Sequence, residues 1–193
     1  VGMWNMKRDG GRWNVYHFGP ESHNTLIFNG ERHNVEEVAE ITETFNSSRR
    51  HGATVNLTPT FAGMAQSVKR TVELDRDDNL IVTDNIVAAN RASTVEWRMA
   101  TNAEATVVAP NMIELRQDGK TMYLRLRSRL QGDAMIWQPK YLECEQRVEN
   151  LRVVGFVLNL RANESAEVEV TLSTERGKNN ILQSLGIGRR KKK

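Results

Sequence analysis

Residues Met112–Leu126, MIELRQDGKTMYLRL, decide the fold class. Ile113 and Leu115 alternate with Glu114 and Arg116, and Met122, Leu124 and Leu126 alternate with Tyr123 and Arg125. A period of two puts one set of side chains on each face of a strand, whereas a helix would repeat its apolar positions every three or four residues. Between the two runs stands Gln117-Asp118-Gly119-Lys120, where Asp-Gly supplies the positive φ angles of a tight two-residue turn. The stretch is therefore an antiparallel hairpin.

Working outward, the same signal recurs. Val68, Arg70, Val72 and Leu74 alternate with polar neighbours as far as the turn-rich Asp75–Asn79, and Leu80–Val87 follows as a more buried strand. Val95, Trp97 and Met99 point one way while Glu96 and Arg98 point the other. Val153–Leu160 and the set Val168, Val170 and Leu172 read as a further strand pair around Ala162-Asn163-Glu164-Ser165. Towards the start, Trp13, Val15 and His17 alternate with Asn14, Tyr16 and Phe18 as a strand. The polar loop Gly19–Ser22 comes next, then a strand over Thr25–Phe28 and a hairpin turn at Asn29-Gly30. Asn34–Phe45 has near-helical apolar spacing, but its Thr and Val content permits extended structure. Many short strands separated by turns predict an all-β fold, an antiparallel β-sandwich.

The 193 residues fit one domain, with 39% hydrophobic and 26% charged residues. No window holds the roughly 18 to 20 apolar residues of a membrane helix, so no membrane partner is expected. Arg189, Arg190, Lys191, Lys192 and Lys193 hold five of the 27 basic residues, and the remainder carries 22 basic against 24 acidic residues. The basicity is thus mainly a property of the tail, and a nucleic-acid partner is not expected. The domain is expected over residues 1–176, with 177–193 as a basic, disordered tail. The lone Cys144 has no partner for an internal disulfide or a zinc knuckle.

Two groups of residues carry candidate chemistry. His17, His23 and His33 lie close in sequence around one loop and one turn; each can serve as a hydrogen bonder, a metal ligand or an acid–base group, and the residues alone favour loop hydrogen bonding. No HxH, HExxH or Cys pair completes a ligand set. Arg125, Arg127 and Arg129 recur with period two on the face that carries Tyr123. Their guanidinium forks match the carboxylates or sulfates of an acidic polymer. The more economical reading is a solvated face whose arginines meet Glu167, Glu169 or Glu114 across the strands, each pair contributing about 0 to 1 kcal/mol. A GxSxG elbow, a phosphate loop and a dinucleotide fingerprint are all absent.

The stretch WNVYHFGPESHNTLIFNGERHN, Trp13 to Asn34, resembles the carboxy-terminal β-sandwich region of the heparinase II/III family of polysaccharide lyases. The run DNIVAANRASTVEWRMATNAEATVVAPNMIELRQDGKTMYLRL is similar to the same region. The resemblance implies β-elimination of uronate-containing acidic polysaccharides, glycosaminoglycans among them, in a periplasmic or secreted enzyme. It implies that the catalytic Tyr and His come from an upstream helical toroid and the sheet segment before this one, so the isolated chain is expected to be inactive. It also implies that His23, in Ser22-His23-Asn24-Thr25, is one ligand of a zinc site whose other ligands lie upstream. The alternative is a non-catalytic sandwich that binds acidic glycans through Arg125, Arg127 and Arg129, or that only packs on a partner domain.

Overall fold

The structure, a computed structural model, describes residues 15–143 and 145–174. Its strands are β1 (Leu26–Phe28), β2 (Glu40–Asn46), β3 (Arg50–Asn56), β4 (Ala65–Asp75), β5 (Leu80–Ala88), β6 (Ser93–Thr101), β7 (Glu104–Ala109), β8 (Met112–Gln117), β9 (Lys120–Ser128), β10 (Gly132–Trp137), β11 (Arg152–Leu160) and β12 (Ser165–Ser173). They form a four-stranded sheet, β1-β6-β11-β10, and an eight-stranded sheet, β2-β3-β4-β5-β12-β9-β8-β7. Every pairing is antiparallel. The all-β sandwich expected from the alternation is what the chain forms.

The core lies between the sheets. Leu26, Phe28, Val95, Trp97, Val154, Phe156 and Leu158 come from the smaller sheet. They meet Val68, Ile86, Ile113, Leu115, Leu124, Leu126, Val168 and Val170 of the larger one. Burial of such side chains, each about 1.5 to 3 kcal/mol, is the main force holding the layers together. Eight strands cannot be covered by four. Along one face of β4 exposure rises from 0% at Val68 to 37% at Val72 and 42% at Leu74. Ile41 on β2 is exposed as well, so this wing of the large sheet runs out from under its partner.

Two turns show what decides a hairpin. Asp118 and Gly119 have φ of 51° and 74°, and β8 and β9 pair on either side of them from Gln117 with Lys120 to Met112 with Arg125. Asn29 and Gly30 are nearly identical, at 52° and 71°, yet beyond them only the single bridge Phe28–Glu31 forms. The polar residues Glu31-Arg32-His33-Asn34 offer no apolar alternation to bury, and β1 pairs with β6 instead.

Two further expectations need correction, and one open alternative is decided. Tyr16–Phe18 and Pro20–Ser22 are short 3-10 helices, not a strand and an irregular loop. Val15 and Tyr16 are buried in succession, which a half-buried strand does not allow, and Pro20 presets the φ of the second turn. Trp13 and Asn14 lie outside the described residues. β11 and β12 are consecutive but unpaired: β11 joins the four-stranded sheet, whereas β12 crosses to the other and lies between β5 and β9. Of the two options for Asn34–Phe45, the extended one forms over its second half, as β2 from Glu40, and the first half is turn and irregular chain. The boundary at residue 176 and the tail beyond it lie outside the described residues.

Candidate functional site

Ser22-His23-Asn24-Thr25 links a 3-10 turn to β1, and it is tied down on both sides. The His23 amide donates to the Pro20 carbonyl at 3.1 Å, and the Arg98 amide of β6 donates to the Thr25 carbonyl at 3.0 Å. Asn24 acts as a splice. Its Oδ1 accepts the Ala100 amide at 2.8 Å, and its carbonyl accepts Arg70 Nη1 of the larger sheet at 3.1 Å. Arg70 also grips Asp84 with both arms of its fork, Nε to Oδ1 at 2.7 Å and Nη2 to Oδ2 at 2.9 Å. Asp84 is 0% exposed. A fully buried carboxylate is tolerable only when paired in this way. The sequence signal was available, because Arg70 shares the inward face of Val68 and Asp84 that of Ile86, and β4–β5 registry sets the two opposite each other.

His23 itself is exposed, and its ring makes no hydrogen bond with a described residue. It faces His33 electrostatically. The His33 Nδ1 is buried without a partner, and its ring meets Phe61 edge-on at 5.9 Å. Burial, and secondarily His23, push the His33 pKa below the ordinary imidazole value. His17 turns elsewhere: its Nε2 pairs with the Gln146 carbonyl at 3.0 Å, and its ring lies 5.3 Å from that of Tyr141. Among the described residues no group of three or more His, Cys, Asp or Glu is arranged to hold a metal. As a zinc donor His23 fits in kind, an accessible imidazole on a fixed loop, and further ligands would have to come from outside the described residues.

The loop opposite is organised by Glu145, which sequence reasoning did not single out. Glu145 is 7% exposed, and its carboxylate accepts the Leu142 amide at 2.7 Å and the His17 amide at 3.3 Å. Burial works to raise its pKa, but the amides of Leu142, Tyr16 and His17, with the charge of His17, outweigh this and leave it below the usual glutamate value.

Arg125 and Arg127 share one face of β9, opposite Thr171 and Glu169 of β12. Arg127 forms an ion pair with Glu169 at 3.2 Å, and Arg125 Nη2 lies 3.5 Å from the Met112 sulfur. Arg129 stands just past the end of β9. Arg127 and Arg129 border a cleft whose other charged walls are Glu164, Glu167 and Glu169, so two cations face three carboxylates.

A second, smaller cleft of about 250 Å³ was not foreseen. It is lined by Val15, Tyr16, Glu21, Arg32, Arg98, Trp137, Gln138 and Lys140. Arg98 and Trp137 lie on the face of the small sheet turned away from the core, with Arg98 opposite Gly155 of the intervening β11. The two backbones approach so closely there that a Cβ at position 155 would run into the Trp97 carbonyl. Across this strand the Arg98 guanidinium sits 4.3 Å from the Trp137 ring centroid. The same guanidinium is held by Glu96 Oε2 at 2.7 Å and the Glu21 carbonyl at 3.3 Å. Tyr16 packs edge-on against Tyr141 at 5.2 Å, and burial, then Tyr141, raise its pKa. Arg32 and Lys140 are exposed and make no ion pair with a described residue.

Comparison with known proteins gives the family. The profile described as "Heparinase II/III-like, C-terminal" matches residues 1–183. No curated protein matches the chain. Among solved structures, heparinase III superposes with a TM-score of 0.66 at 11% identity, over 89% of this chain and 26% of that one. A mutant heparan sulfate lyase from Pedobacter heparinus superposes with a TM-score of 0.65 at 13% identity, over 92% of this chain and 28% of that one. At such identities the likeness shows the shared fold, and the chain spans about a quarter of the length of the structures it matches. With a profile match across residues 1–183, the chain belongs to the heparinase II/III-like carboxy-terminal family.

Proposed function

We propose that this chain is the carboxy-terminal sandwich of a polysaccharide lyase that cleaves uronate-containing acidic polysaccharides by β-elimination, and that it does not turn over substrate alone. The observation carrying this reading is the family match over residues 1–183, in a chain that covers about a quarter of its structural neighbours. In the reaction a base removes the C5 proton of a uronate and the C4–O bond breaks. A C4=C5 double bond forms, and an acid protonates the departing oxygen. The proton-transfer residues would come from an upstream helical toroid and the sheet segment before this one. The uncovered apolar wing at Ile41, Val72 and Leu74 supports the existence of such a neighbour. Turnover of this kind would take place in the periplasm or outside the cell.

Within the same reading His23 contributes one imidazole to a structural zinc site shared with upstream ligands, where the metal would cross-link the two regions. The direct test incubates this chain, and the whole encoded protein, with heparan sulfate, chondroitin sulfate and alginate while following absorbance of the unsaturated product. The chain should stay silent and the whole protein should act on at least one polymer; steady turnover by the chain, or none by the whole protein, overturns the reading. Elemental analysis of the whole protein should find one metal per chain, lost in His23→Ala; metal-free protein removes the zinc role.

The rival reading, a sandwich that holds an acidic glycan on the arginine face of β9, is the weaker one. Exposed Arg127 and Arg129 favour it, and the facing glutamates oppose it.

A further inference from the structure

We propose that the cleft between the Tyr16–Ser22 segment and the end of β10 binds a single acid-bearing sugar ring of a glycan, with Arg32 and Lys140 taking the carboxylate or sulfate. The proposal rests on the lyase reading for its polymer class, and on the cleft's own chemistry for its place.

Size comes first. At about 250 Å³ the cleft lies below the roughly 300 to 1,000 Å³ of sites that enclose a drug-sized ligand, so it suits one ring of a chain rather than a long segment. Its walls are mixed in the way a sugar requires. Trp137 offers apolar ring surface to C–H groups, the buried Tyr16 backs the wall, and Gln138 offers an amide to hydroxyls. Charge then selects the acid. Arg98 is engaged by Glu96, by the Glu21 carbonyl and by the Trp137 face, so it stiffens the floor. Arg32 and Lys140 make no ion pair with a described residue, and the one carboxylate in the lining, Glu21, folds back against Gly19. Two uncommitted cations beside aromatic surface favour an anionic ring over a neutral one, because their forks and ammonium protons gain charge-assisted hydrogen bonds only from an anion.

The contrast with the β9 cleft makes the inference specific. There the cations are outnumbered by glutamates and Arg127 already holds Glu169, so a polyanion must displace a resident carboxylate before it gains anything. At the Arg32–Lys140 cleft no such exchange with a described residue is needed.

Isothermal titration of the 193-residue chain with a heparan sulfate tetrasaccharide, and with cellotetraose as the neutral control, tests the assignment. The acidic tetrasaccharide should bind and cellotetraose should bind at least about tenfold more weakly, as expected when hydrogen bonds to charged groups are lost. Arg32→Ala with Lys140→Ala should weaken binding by about tenfold or more, whereas Arg127→Ala with Arg129→Ala should change it by less than about twofold. All four side chains are exposed, so both double variants should unfold at the wild-type denaturant concentration. The proposal is overturned by absence of binding to the wild-type chain or by equal losses in the two double variants. Displacement at matched anion concentration by inorganic sulfate or by a single-stranded oligonucleotide overturns it too. Such failure leaves the lyase reading standing, because that reading is judged from product absorbance in the whole protein.

Discussion

The two clefts carry the same kind of residue and differ in what those residues already hold. Along β9, Arg127 and Arg129 face Glu164, Glu167 and Glu169, and one of the two arginines is paired. Beside the end of β10, three cations share the lining with a single glutamate. Counting arginines along a strand therefore misjudges where an anion will settle, because the neighbours across the sheet decide how much positive charge remains. An arginine stripe is read from one segment, whereas its neutralisation is written in another.

The difference between committed and uncommitted cations can be pressed hardest at Arg70, the most committed of all. Arg70→Ala leaves the buried Asp84 without its fork and the Asn24 carbonyl without its donor, and should cost about 3 to 5 kcal/mol in urea unfolding. A loss under about 1 kcal/mol would place the pair among ordinary surface bridges.

Gly155→Ala attacks the second cleft from beneath. The added methyl meets the Trp97 carbonyl and comes within 3.2 Å of the Arg98 Cα, so roughly 1 to 3 kcal/mol of stability should be lost. Arg98 should shift off Trp137 with it, and anionic tetrasaccharide affinity should drop; unchanged stability and affinity would show that the close approach does not hold the cleft. Glu145→Gln tests the support of the Tyr16–Phe18 turn behind that cleft, since Glu145 holds the His17 amide. Because the folded-state pKa of Glu145 lies below its unfolded value, its contribution is complete above the ordinary glutamate range and fades as pH falls through the lowered pKa. Denaturation midpoints of the variant should therefore depend less on pH on the acid side than those of the parent chain. The smallest effect belongs to Arg127→Ala, where breaking the exposed pair with Glu169 should cost about 0 to 1 kcal/mol. A larger loss would mean that the β9 face is more than a solvated surface.

How far the sequence could be read follows from how local each feature is. The hairpin around Asp118-Gly119 was legible because its turn, its alternation and its register all lie within fifteen residues. β11 and β12 show equally clear strand patterns, but nothing in them says that consecutive strands will part to different sheets, since either pairing satisfies the same alternation. The His23 loop was legible as a motif, and its supports were not: Asn24 reaches β6 and Arg70 reaches in from β4. The Arg32–Lys140 cleft was the least legible. Its residues come from four separated segments, and its floor depends on a glycine that lines nothing itself.

The position of β12 bears on how this chain is made. It alone joins β5 to β9 in the described sheet, although it follows both in the chain and comes last among the described strands. Until Ser165–Ser173 has left the ribosome, β2–β5 and β7–β9 have no strand to join them, and β5 and β9 each lack the neighbour that covers their inner edge. At roughly 5 to 20 residues per second that interval lasts several seconds. The bare edges of β5 and β9, carrying Ile86 and Leu124, are then available to any passing strand, so nascent chains of this domain should be protected by a chaperone or else lost to aggregation.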